Sequence, residues 1–162
     1  MTALTDYAAA VVSFGFAVSM FRRIGPGNKV TGWFWCASFL AGAVAATMGG
    51  TFHGFAAVLS RGAQGNLWNG AMILTGVTAA FVAAAIHAAH VRRVDGTVRW
   101  LVAAIAVTVV GLVIQQSSYP RSPYFNHNDA YHVIQIVGLC LLFRCARTTR
   151  DRGSFVAPPV QT

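Results

Sequence analysis

Acid is scarce in this chain. Only four residues are Asp or Glu against twelve Lys and Arg, a formal charge of +8. Charged residues of both signs make up 10% of the sequence, where soluble domains carry roughly 25%. That shortage excludes an ordinary water-facing surface. Cysteine is scarce too: Cys36, Cys140 and Cys145 are odd in number, lie in or near apolar segments and form no CxxC pair. They read as packing residues, with neither a disulfide framework nor a thiolate metal site. The chain has no P-loop, no dinucleotide fingerprint, no G-x-S-x-G elbow and no HExxH, so several common enzyme classes have no motif to rest on. It also has no internal repeat and no low-complexity tract.

What is abundant is apolar sequence, at 56% of 162 residues. It falls into five long runs: about Leu4 to Phe21, Val30 to Leu59, Leu67 to Val91, Val98 to Gln115 and Asp129 to Ala146. Each is near the ~20 residues that cross a bilayer. The expected fold is therefore an all-α integral membrane bundle of five transmembrane helices, in a single domain over 1–152 with a disordered tail at 153–162. The first run is followed, not preceded, by Arg22 and Arg23, so it reads as a retained helix and not a secretory signal. Gly25-Pro26-Gly27-Asn28 is a turn, and a polar loop holding Pro120 and Pro123 joins the last two runs.

A basic chain can signal nucleic acid, but here the cations sit between apolar runs, where membrane orientation accounts for them. Five crossings place Arg22, Arg23, Lys29, Arg92, Arg93, Arg99, Arg144, Arg147, Arg150 and Arg152 on one side, and only Arg61 and Arg121 on the other. By the positive-inside rule the N-terminus is outside and the C-terminus cytoplasmic, as for a multi-pass protein of a bacterial inner membrane. Trp33, Trp35 and Trp100 then fall at the inner interface, with Tyr7, Trp68, Tyr119 and Tyr124 at the outer one. His87 and His90 lie near the inner boundary beside Arg92 and Arg93 and read as headgroup-level residues.

The chemistry concentrates at the outer side, in the run from Pro123 to Gln135. With a helix opening near Asn128 as N-cap, Asp129, His132 and Gln135 recur at i, i+3, i+6 on one face. Asp129 in the first turn suits the positive end of the helix dipole. A polar stripe in an apolar helix needs a polar partner. The second run supplies a stripe of small residues, Gly42, Ala45, Ala46, Gly49 and Gly50, ending at His53, a pattern that lets helix backbones approach closely. Asp6, Ala9, Ala10, Ser13 and Ala17 share a face of the first run. Asn69, Ile73 and Gly76 share one on the third. The expected cluster thus joins Asp6, His53, Asn69, His127, Asp129 and His132, with Asn128, Gln135 and Thr51 in support.

Two readings of that cluster stand side by side. Three imidazoles (His53, His127 and His132) with a carboxylate nearby suit a first-row metal, zinc by default, whose bound water would pass its proton to Asp129 or Asp6. Alternatively the same groups form a hydrogen-bonded polar core in a non-catalytic protein, either an accessory subunit or a binder of a lipid or small apolar ligand. A single haem between His53 and His132 is a further geometry the ligands allow. Membrane lipids are the expected surroundings, and nucleic acid is not an expected partner.

Thr51-Phe52-His53 and Asp129-Ala130-Tyr131-His132 resemble strings in the CREST superfamily, which groups alkaline ceramidases, progestin/adipoQ receptors and Per1-like proteins. The same strings look like ones in uncharacterised small bacterial multi-pass membrane proteins. The CREST resemblance implies a zinc on three histidines and hydrolysis of a lipid amide. In this chain Gly49 stands where that superfamily has its serine, Asn66 or Asn69 where it has an aspartate, and five helices replace seven.

Overall fold

The computed structural model describes residues 2–89, 96–119, 122 and 124–151. His90, Arg92, Arg93, Pro120, Arg121, Pro123, Arg152 and the 153–162 tail lie outside the described residues. Five α-helices follow one another: α1 (Thr2–Phe21), α2 (Lys29–Phe55), α3 (Arg61–Ala88), α4 (Gly96–Ser117) and α5 (His127–Thr148). All five are long and apolar enough to cross a membrane, and no strand occurs among the described residues.

Each helix end follows from local chemistry. The α1–α2 turn is tied by Asn28, whose Oδ1 accepts from Gly25 N at 2.8 Å and whose Nδ2 donates to Arg23 O at 3.2 Å. With that side chain engaged, the first turn of α2 is capped from far away in sequence. The two oxygens of Asp151 accept from Val30 N and Thr31 N, each at 2.9 Å, an anion on free helix N–H groups. α2 ends at Phe55, four residues before the expected Leu59. Gln64 folds back to donate to Ala56 O and Leu59 O at 2.9 and 3.0 Å, and Ser60 caps α3 by accepting from Ala63 N. α3 therefore starts at Arg61, six residues earlier than hydropathy suggests, because its first turns are polar. α4 stops at Ser118, a non-glycine residue in the left-handed region (φ 55°).

Helices consecutive in sequence run antiparallel, α1 and α5 lie side by side in parallel, and the five do not close into a ring. α1 packs on α2 and α5, α3 packs on α2 alone and α4 on α5 alone, giving the order α3–α2–α1–α5–α4. α1 is the central element. The face expected to be buried is buried: Asp6, Ala9, Ala10, Ser13 and Ala17 are all covered, with Met20. Small residues on α2 make the close approach, since a Cβ on Gly50 would meet the Tyr7 ring at 3.1 Å and one on Gly54 would meet Ala3 at 3.2 Å. The small-residue stripe splits between neighbours, for Gly42 faces Thr78 of α3.

Along the helix axes, one end of the bundle, here the arginine end, holds the main core. Met20, Trp35, Phe39, Ala85, Cys145 and Ala146 are buried there, with Trp100 and Leu101 of α4 packed against them. Phe16 stacks on Phe143 with centroids 4.2 Å apart. Buried hydroxyls are satisfied: Trp35 Nε1 donates to Thr149 Oγ1 at 3.1 Å, and Thr97 Oγ1 donates to Thr148 Oγ1 at 2.9 Å. The opposite end, the histidine end, joins the start of α1, the end of α2 and the start of α5.

Candidate functional site

At the histidine end the sequence builds a polar centre around two carboxylates. α5 opens with a reciprocal cap. Asn126 Oδ1 accepts from Asn128 N and Asp129 N at 2.9 and 3.3 Å, while Asp129 Oδ2 accepts from Asn126 N at 3.0 Å. The N-cap is therefore Asn126, two residues before the expected Asn128. The N-x-x-D spacing that makes a capping box was the signal for it. Asp129 is 1% exposed, and its second oxygen, Oδ1, has no hydrogen-bond partner among the described residues.

One turn along α5, His132 reaches across to α1. Its Nε2 lies 3.2 Å from Asp6 Oδ1 and its Nδ1 lies 3.2 Å from Thr5 Oγ1. Thr5 has one hydroxyl proton, and Thr2 O, 2.9 Å away, also claims it. With that proton on Thr2, Nδ1 donates to Thr5, and Nε2 and Asp6 Oδ1 share one proton between them. With it turned to Nδ1, the ring is neutral. Asp6 is 6% exposed, and its Oδ2 is buried without a partner among the described residues. Two buried carboxylates, close enough to interact electrostatically, thus present one unused oxygen each.

The other expected members sit around this pair unequally. His53, near the end of α2, interacts electrostatically with Asp129 and His132, but its side chain is exposed. Thr51 shares a 3.1 Å hydrogen bond with the Tyr7 hydroxyl, which ties α2 to α1 beside the pair. Asn128 accepts a long 3.5 Å bond from Gln115 Nε2 of α4. Gln135 is half-buried and makes no side-chain hydrogen bond among the described residues.

Three expectations are corrected. Asn69 is exposed on α3, which packs on α2 alone, so α3 does not contribute to the centre; Ile73 on the same face is 66% exposed. His53 does not point into a packed interior. His127 begins α5 five residues before His132, a separation that turns the two side chains about 140° apart around the helix axis. Among the described residues, no group of three or more His, Cys, Asp or Glu is disposed to hold a metal ion. Sequence reasoning also missed Thr5 and gave Tyr7 only an interfacial role, because neither stands out without a partner to define it.

A model of a family of unknown function, DUF6962, matches residues 1–94 and again 76–151. Together the two matches take in all five helices. The chain belongs to that family. No curated protein and no solved structure matches it. Gly49, at the position of the serine in the CREST-like string, faces the Asp6 carboxylate, with an added Cβ 3.6 Å from Oδ1. No hydroxyl stands at that point.

Proposed function

We propose that the chain is a multi-pass integral membrane protein that binds a small cationic or hydrogen-bond-donating ligand at its histidine end, without catalysing a reaction on it. The observation that carries this reading is the pair of buried carboxylate oxygens, Asp6 Oδ2 and Asp129 Oδ1, that have no partner among the described residues. A buried acceptor left unmade costs about 1–3 kcal/mol, more when charged, and a ligand ammonium or other N–H donor would supply the missing partner. Neighbouring Thr5, Tyr7, Thr51 and His132 would orient it. Hydrolysis is the weaker assignment, because a water-activating metal would need ligands that converge and Gly49 offers no hydroxyl.

The ten-to-two division of cations puts the histidine end on the external face, open to ligands arriving from outside. A reporter fused after Thr162 is then active only in the cytoplasm.

The test of the binding reading is the thermal midpoint of the detergent-purified full chain, measured with methylammonium, choline or zinc added. Stabilisation by an ammonium compound that disappears in Asp129→Asn supports the assignment. Stabilisation by zinc alone, lost in His53→Ala and His132→Ala, would favour the metal centre instead.

A further inference from the structure

The row of helices curves. On α1, Asp6, Ser13 and Ala17 lie between the side chains that meet α2, such as Ala3 and Tyr7, and those that meet α5, Thr5 and Phe16. They therefore look into the seam between α2 and α5. At the arginine end large side chains of four helices fill that seam: Phe39, Val82, Leu101 and Phe143. Toward the histidine end, Ala46 and Gly49 follow Phe39 at helical spacing, and both are only half-buried. Among the described residues, α3 and α4 do not pack on each other to close the seam there.

An aromatic row leads from α3 to this opening. The Trp68 and Phe52 rings have centroids 5.4 Å apart, and those of Phe52 and His53 are 5.1 Å apart. Trp68 is 46% exposed, Phe52 is half-buried and His53 is exposed, so the row is surface and not core. Beyond His53 come the carboxylates. His53 interacts electrostatically with Asp129, and an added Cβ on Gly49, one turn before His53, would sit 3.7 Å from Asp6 Oδ2. That unpartnered oxygen thus lies behind the gap that Gly49 leaves.

The depth of the site is also informative. Arg22, just past α1, is about 24 Å along the axis from Asp6, and Arg144 is about 22 Å from Asp129, at 1.5 Å per residue. With those arginines at one boundary of a ~30 Å hydrocarbon layer, the carboxylates lie about 6–8 Å inside the other.

We infer that the ligand of this end is a primary amine carried on an apolar body, its ammonium at Asp6 and Asp129 and its hydrocarbon along the Trp68–Phe52–His53 row. This rests on the binding reading above and adds the class of ligand. Charge complementarity fixes the head, because a primary ammonium brings three donors to oxygens that lack one. A phosphate on the same ligand would meet two carboxylates at close range, which works against a zwitterionic phospholipid. A small polar cation would leave the row unused and would lose its water at hydrocarbon depth. An apolar body carries the amine there.

The experiment is the thermal shift of the detergent-purified full chain titrated with methylammonium or hexylammonium, compared at equal free concentration. A fully buried methylene strengthens binding about fourfold; on a row that covers one side the expected gain is about twofold, or about thirtyfold between the two amines. Phe52→Ala or Trp68→Ala should cut that ratio to about tenfold or less, while a response to methylammonium remains as the sign that the variant is folded. Asp129→Asn should abolish both responses, which separates binding from adsorption of hexylammonium to apolar surface. Equal affinities for the two amines, a ratio unchanged in both aromatic variants, or a hexylammonium response that survives in Asp129→Asn overturns this inference. Equal affinities that are both lost in Asp129→Asn would leave the binding reading standing. No response to either amine overturns both.

Discussion

At the arginine end, Asp151 sets both carboxylate oxygens on backbone N–H groups of α2, and the fully buried Trp35 finds its acceptor in Thr149. At the histidine end, Asp6 and Asp129 are buried where Asp151 is only half-buried, yet each keeps one oxygen without a partner among the described residues. The same chain therefore satisfies polar groups where it needs cohesion and leaves buried ones open where it would bind. Large side chains fill the first end, while Gly49, Gly50 and Gly54 bring backbones together at the second. Stability resides at one end, and the other end can carry strained electrostatics because of it.

The largest effect should come from the arginine end. Trp35→Ala removes the largest fully buried side chain and its hydrogen bond, and should cost about 3–5 kcal/mol, read as a fall in the unfolding midpoint in detergent. Asp151→Ala strips two helix N–H groups of their acceptor and should cost about 1–2 kcal/mol. Burial works to raise the Asp151 carboxyl, but the backbone N–H groups of Thr31, Val30 and Lys29 and the Thr31 hydroxyl outweigh it and hold the group below its ordinary value of 3.8. Its contribution is then present above the ordinary carboxylate value of about 4 and lost as pH falls through the lower folded value. The stability gap between wild type and Asp151→Asn should therefore be full at neutral pH and shrink in acid.

A smaller contrast tests the close approach of α1 and α2. Gly50→Ala would press a methyl against the Tyr7 ring at 3.1 Å and Asp6 Cβ at 3.2 Å, costing about 1 kcal/mol after the gain in helix propensity. Gly76→Ala on the open face of α3 meets nothing within 4 Å and should gain about 0.5–1 kcal/mol. Equal responses from the two glycines would mean that the α1–α2 contact is looser than described.

Hydropathy alone was enough to find the five helices, and the small face of α1 from Asp6 to Ala17 was readable from its spacing. The starts of α3 and α5 were misread because polar first turns carry no hydropathy signal; Ser60 and Asn126 mark them through capping chemistry instead. The lateral order of the helices was not readable. Short connections pair α1 with α2 and α4 with α5, but nothing in the sequence says that α5 lies against α1 while α3 stays outside. For that reason Asn69 was assigned to a centre that its helix never reaches. Asp6 and His132 could be named from the sequence as polar groups in apolar runs, but that they meet each other, with Thr5 behind the ring, is a property of the packed pair.

The contrast between the two ends is tested most directly by the thermal midpoints of Asp6→Asn and Asp151→Asn, each measured with and without an ammonium ligand. Asn at position 6 can still accept from His132 while relieving the repulsion from Asp129. Its midpoint should be unchanged or raised, with ligand stabilisation abolished. Asp151→Asn should lower the midpoint by about 2–4 °C for each kcal/mol lost and leave ligand stabilisation intact. If Asp6→Asn lowers the midpoint as far as Asp151→Asn and still responds to the ligand, the histidine end is a structural core and the binding assignment is wrong.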